Sequence, residues 1–231
     1  MKNRFISIAV FTLAWVGSAH AQNIIQNGNF SLGNTDFSSD YPYVAYDYAN
    51  YTLTPQVIDG DYTVGPYVPP SYFDWAPFNT VSGGNTQMLI GNGAASASES
   101  VWDQSVAVSP GTTYTISFYL AEISTPGSVA DIAVDLGGNQ IGSATAPSVI
   151  DTWQQYTFNW NSGSSTSVLL ALKDLNTSGS ENDFAIDNIS MSAVPEPSSV
   201  ILLALALPLI FLLGCRAFPK PHHSKGSGYI P

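Results

Sequence analysis

Histidine, cysteine and arginine are almost missing from this 231-residue sequence, and the few that occur sit near its two ends. The three histidines are His20, His222 and His223, the one cysteine is Cys215, and the arginines are Arg4 and Arg216. Between residues 22 and 194 the only cation is Lys173, against sixteen acidic residues, leaving fifteen net negative charges. A stretch with no His and no Cys excludes Ser-His-Asp triads, thiol nucleophiles and zinc held by His or Cys. It also forms no internal disulfide. With one lysine and no arginine it cannot neutralise a phosphate backbone, so nucleic acid is not expected as a partner. Carboxylates remain. They allow calcium binding through hard oxygen ligands, or a glycosidase pair drawn from Glu99, Glu122 or Glu181 with an aspartate. A surface that simply stays soluble accounts for most of them. With no Arg or His to orient a substrate, a non-catalytic protein is the expectation.

The ends read as addresses. Lys2 and Arg4 form a positive n-region, Phe5 to Val16 an apolar stretch, and Ala19-His20-Ala21 a small-residue cleavage site. Residues 1–21 are therefore expected to be a signal peptide, with the mature chain starting at Gln22. Near the other end stands Val194-Pro195-Glu196-Pro197-Ser198, held extended by its prolines. Residues 200–214 come next, all apolar or Gly/Pro, with Pro208 inside and Arg216 just beyond. As a helix they would span about 22 Å of a bilayer core about 30 Å thick, a marginal crossing. This order of parts resembles the PEP-CTERM sorting signal. The resemblance implies that Pro195, Glu196 and Pro197 are the recognition element and Arg216 the basic stop. It also implies that residues 200–214 rest in the inner membrane until an exosortase-type enzyme removes them. One departure is that the family usually ends in a run of arginines, whereas Arg216 is followed by a polar tail, 219–231, with Lys220 and Lys225. The alternative is a permanent C-terminal anchor. The expected organisation is a signal peptide 1–21, one domain 22–193, a sorting signal 194–218 and the tail. Such a chain is exported to the cell envelope or beyond.

From Val101 onward apolar residues recur with period two between turn residues, the pattern of half-buried strands. Tyr114, Ile116, Phe118 and Leu120 alternate with Thr115, Ser117 and Tyr119. Ile132, Val134 and Leu136 lead to a Gly137-Gly138-Asn139 turn. Tyr156, Phe158 and Trp160 form another series, and Val168, Leu170 and Leu172 the next. No sustained helical stripe appears. The expected fold is all-β, an antiparallel β-sandwich of jelly-roll type. In the last series Phe184 and Ile186 are out of phase with Ile189 and Met191, and a β-bulge at Asp187-Asn188 would explain the slip.

Four segments in order carry a second resemblance. They are Asn27-Gly28-Asn29-Phe30, Gln104-Ser105-Val106 ahead of Pro110-Gly111-Thr112-Thr113-Tyr114, Trp153-Gln154-Gln155-Tyr156, and Phe184 to Ile189. Together they resemble galactose-binding-like jelly rolls, a fold of many carbohydrate-binding modules. The resemblance implies a structural calcium held by Asn27, Asn29 and Asp187. Ser31 stands where relatives carry Glu, so one carboxylate is missing. The alternative is that Asp187 caps the bulge through its backbone neighbours.

Residues from about 41 to 78 differ from the rest, with Tyr and Trp interleaved with Asp and Pro. Aromatic faces stack on sugar C–H faces, and Tyr67, Tyr72 and Trp75 are the expected centre of a glycan-contacting loop. The competing and favoured reading is that these rings pack the insertion itself and cover an open face of the sandwich. Weak binding of an exopolysaccharide is thus one expectation, a surface subunit that binds protein another, and a carboxylate-pair glycosidase the least favoured.

Overall fold

The computed structural model describes residues 21–195 apart from 51, 54–55, 69–74, 77, 83–85, 97–98, 125–127 and 179–181. Ala19, Tyr72, Glu181, Glu196, Pro197, Arg216 and the apolar stretch 200–214 lie outside the described residues. The chain divides into two units between Val194 and Pro195, and the strands all belong to the first. Among the described residues no helix is long and apolar enough to cross a membrane.

The period-two segments become the strands of an antiparallel sandwich. Five short strands come first: β1 (Tyr46–Asp47), β2 (Thr52–Leu53), β3 (Tyr62–Gly65), β4 (Tyr67–Val68) and β5 (Phe78–Asn79). Then come β6 (Met88–Gly91), β7 (Ser100–Ala107), β8 (Thr113–Glu122) and β9 (Asp131–Leu136). The last are β10 (Asn139–Thr145), β11 (Gln154–Asn161), β12 (Ser167–Asp174) and β13 (Phe184–Ala193). One sheet has the order β10-β9-β12-β7 and the other β11-β8-β13-β6-β3. Between them lies the main core, to which β8 gives Ile116, Phe118 and Leu120, β9 gives Ile132 and Val134, and β12 gives Leu170 and Leu172. The turn between β9 and β10 has positive φ at both Gly137 and Gly138, 62° and 84°, as a tight hairpin of primed type requires.

The slip in the last strand is a bulge. Asp187 pairs with Tyr119 but Ser190 with Ser117, so β13 carries one extra residue there, and Asn188 takes a φ of 53°. The extra residue returns Ile189 and Met191 to the core side already occupied by Phe184 and Ile186. Beyond the bulge β6 no longer pairs with β13, and the N-terminal segment takes its place. Ile24 N–H donates to Met191 O at 2.8 Å, and Ile189 N–H to Gly28 O at 2.8 Å. The approach is so close that a Cβ on Gly28 would stand 2.0 Å from Ile189 O, and only glycine fits.

A second core lies on the outer face of the five-stranded sheet. Met88, Ile90, Ala121, Ile123 and Ala185 point away from the sandwich and are covered by Val44, Tyr46, Leu53, Val57, Val68, Trp75 and Phe78. The aromatic insertion is thus a lid over half of that face, and each large side chain it removes from water contributes about 1.5–3 kcal/mol.

Candidate functional site

Where the lid ends, the outer face of the five-stranded sheet is open. There Ser117 and Tyr119 of β8 take the opposite phase to Ile116 and Phe118, so they project outward. Gln155 of β11 pairs with Tyr119, and Ser190 of β13 pairs with Ser117, their hydroxyls 2.9 Å apart. With Asn188 at the bulge and the Asn23–Asn29 segment alongside, these residues line an open pocket of about 490 Å³.

The walls are held by backbone bonds. Asn23 Oδ1 accepts the N–H groups of Ile25 (3.0 Å) and Met191 (2.9 Å), fixing the N-terminal segment to β13. Asn27, at a φ of 52°, accepts from Leu32 N–H and donates to the carbonyls of Gly33 and Thr35. Its side chain is the strut of the 27–35 loop. Other polar groups of the pocket are left over. The side-chain amides of Asn188 and Gln155 and the Tyr119 hydroxyl have no hydrogen bond to any described residue, and the Asn29 side chain uses only its oxygen, accepting from Ser31 N–H. Among the described residues no charged side chain lines the pocket. It offers one half-buried aromatic ring, several free amides and hydroxyls, and a neutral floor.

The residues expected from the resemblance to hold calcium are each engaged within the protein. Asp187 is buried, and its carboxylate oxygens accept the N–H groups of Val81 (3.1 Å) and Asn188 (2.7 Å). It caps the bulge, as the alternative reading has it, and burial pushes its carboxyl up to about 6. The side-chain oxygens of Asn27 and Asn29 accept backbone amides. Each of the three side chains thus serves the local backbone, Asp187 at the bulge and Asn27 and Asn29 in the loop.

Of the rings expected to centre a glycan-contacting loop in the insertion, Trp75 and Tyr67 fall among the described residues. Trp75 is 5 % exposed inside the second core, and its indole N–H donates to Asp183 Oδ2 at 2.6 Å. It has no open face to offer. Tyr67 is half-buried, pairs with Asn79 across β4 and β5, and gives its carbonyl to the Tyr46 hydroxyl. The pocket residues Tyr119, Gln155 and Asn188 were not singled out by sequence as ligand contacts. The available signal was an aromatic in the solvent phase of an alternating strand, which Tyr119 is.

Of the carboxylates considered for a glycosidase, Glu122 and Glu99 are described and lie elsewhere. Glu122 is 1 % exposed and accepts from Ser124 N–H, Ser124 Oγ–H (2.6 Å) and Ala130 N–H. Desolvation raises its carboxyl to about 7. Glu99, half-buried, gives its carbonyl to Asp174 N–H.

Fold and site together define an antiparallel β-sandwich with an uncharged, amide-rimmed pocket on one outer face. No family model matches the chain, and no curated protein matches it. Among solved structures it is similar to an apo-form cyclase from Fischerella sp. The TM-score is 0.52 at 15% identity over 78% of this chain and 100% of that one. It is also similar to the Stig cyclase FisC from Fischerella sp. TAU, solved with a pyrrolidinylidene indole. There the TM-score is 0.51 at 12% identity over 76% and 99%. The CBM22-1 xylan-binding domain of Paenibacillus barcinonensis Xyn10C aligns at a TM-score of 0.47 and 14% identity, over 78% and 99%. At these identities the cyclase likenesses show a shared sandwich fold and nothing about chemistry.

Proposed function

We propose that this chain is an exported, non-catalytic protein of the cell envelope or extracellular matrix whose sandwich binds neutral glycan in the Tyr119 pocket. The observation that carries the reading is the set of unpaired amides and the Tyr119 hydroxyl around an open, uncharged pocket. Sugar hydroxyls need both donors and acceptors, which Asn188, Gln155 and Asn29 supply, while a half-exposed ring receives the C–H face of a pyranose. The absence of any carboxylate from the pocket walls favours binding over carboxylate-pair hydrolysis. An anionic polymer would meet no cation there and a strongly negative domain around it. Export by residues 1–21 and sorting through Pro195, Glu196, Pro197 and Arg216 complete the proposal, with an exosortase-type enzyme as the processing partner.

The binding test is affinity electrophoresis of the exported protein in gels containing xylan, glucan or mannan, with alginate as the anionic control. Retardation by at least one neutral polymer is expected, weakened about tenfold or more by Tyr119→Ala, a loss of ~1.4 kcal/mol. Asn188→Gly, which keeps the left-handed backbone free of strain, should weaken it as well. Retardation by alginate alone would overturn the neutral-ligand reading. Sorting is tested by intact mass of the secreted form. A C-terminus close to Pro197, without Phe211 and Arg216, is expected; retention of the full tail would overturn processing.

A further inference from the structure

Among the described residues every aromatic ring is buried or half-buried except Tyr43 and Tyr48, which are 41 % and 50 % exposed. Both stand at the β3 edge of the five-stranded sheet, where the lid begins. Tyr62 N–H donates to Pro42 O (3.0 Å) and Val44 N–H to Tyr62 O (2.8 Å), and this pairing lays the Tyr43 ring against Tyr62. The two ring centroids are 5.4 Å apart at 55°. Tyr48 follows β1 in a turn fixed by Asp47 Oδ1, which accepts Ala49 N–H at 2.9 Å, and its ring packs on Tyr46 at 5.1 Å.

An ordinary surface tyrosine buries its ring and turns its hydroxyl to water, and Tyr48 departs from that. Tyr48 donates its hydroxyl to Gln87 Oε1 at 2.8 Å. The Tyr62 hydroxyl beneath them is held by Asn34 Oδ1 at 2.7 Å. The polar tip of Tyr48 is therefore committed to protein although the residue is 50 % exposed. The bonds leave the NH₂ groups of Gln87 and Asn34 as donors at the rim. Rings pinned in this way lose little freedom when a ligand covers them.

We infer that Tyr43 and Tyr48 form a second stacking platform for the pyranose rings of a neutral glycan, separate from the Tyr119 pocket. The platform shares the ligand class of the proposed function but does not depend on that pocket. Fixed aromatic surface with amide donors beside it suits C–H faces flanked by hydroxyls. A polymer long enough to reach both places gains from the second contact without tighter binding at the first.

The test compares Tyr43→Ala/Tyr48→Ala with Tyr119→Ala in the same xylan, glucan and mannan gels, with thermal unfolding as the control for folding. Retention by a neutral polymer should fall about tenfold or more in the double variant. A second readout leaves the sequence intact: nitration by tetranitromethane, mapped by mass spectrometry, should fall at Tyr43 and Tyr48 when the neutral polymer is added. If the double variant weakens binding while Tyr119→Ala does not, the platform stands and the pocket reading fails. If Tyr119→Ala weakens binding while the double variant matches the parent and nitration is unprotected, the platform is overturned and the pocket stands. Loss of a protein partner rather than a glycan in the double variant would also overturn it.

Discussion

Replacing Trp75 with alanine should lower the thermal unfolding midpoint by roughly 10 °C or more and leave the folded remainder able to bind glycan. Trp75 lies in the second core with Phe78, Met88, Ile90 and Ile123, 5 % exposed. Truncating a buried aromatic to alanine costs about 3–5 kcal/mol, through lost transfer energy and the cavity left behind. Asp183 would in addition lose the indole donor and keep only the Gly93 amide, at 3.1 Å, inside an apolar setting. An unpaired buried acceptor adds roughly 1–3 kcal/mol. For a domain of this size each kcal/mol moves the midpoint by about 2–4 °C. Trp75→Phe separates the two contributions: it keeps most of the ring and removes the N–H, and a smaller loss is expected. Scanning calorimetry on the three proteins reads both effects. A Trp75→Ala protein with an unchanged midpoint and abolished sugar binding would return this ring to a glycan-contacting role.

How much of this was legible in sequence depends on the phase of each strand. Where apolar residues alternate, as at Ile116, Phe118 and Leu120, the sequence reports a strand with one wet face, and that face is where the pocket opens. Where they run continuously, as at Met88-Leu89-Ile90 and Phe184-Ala185-Ile186, both faces are covered, one by the facing sheet and one by the lid. Continuous runs are the signature of strands buried on two sides. The lid was harder to place. Its strands β1, β2, β4 and β5 are two residues long, and prolines and aspartates interrupt any period, so its destination is set by tertiary contacts alone. The favoured expectation for it, rings packed over an open face, matches the position of Trp75 and Phe78. The bulge at Asp187 was legible because a period of two reports a slip at once. The calcium expectation came from resemblance, and no pattern carries the detail that the oxygens of Asn27 and Asn29 accept the loop's own amides. The pocket was missed because its members come from four separate segments, joined only when the N-terminal segment replaces β6 beside β13.

Mild acid should stabilise this protein rather than unfold it, with a midpoint near pH 5 exceeding that near pH 8 by on the order of 10 °C. Three carboxyls carry the expectation. Desolvation raises Glu122 to about 7, and Asp183 and Asp187 each to about 6, in each case outweighing the hydrogen bonds that favour the charged form. In the unfolded chain they titrate near 4.5 and 3.8. Between about pH 4 and 7 the folded state therefore binds more protons than the unfolded one, and stability falls as pH rises through that window. The contribution is fully present below the unfolded values and lost above the folded ones. One pKa unit corresponds to ~1.4 kcal/mol, so shifts of this size in three buried groups amount to several kcal/mol. Lys173 offers no relief, since its one ion pair is with Asp135 at 3.5 Å. Repulsion among surface carboxylates falls in the same direction on acidification, so the source must be separated. Glu122→Gln removes the highest of the three titrations. Whatever it does to the absolute midpoint, it should flatten the slope between about pH 6 and 8, whereas general charge repulsion would leave that slope intact. A midpoint that stays level or drops as the parent protein is taken from about pH 8 to 5 would show that these carboxyls ionise freely in the folded state.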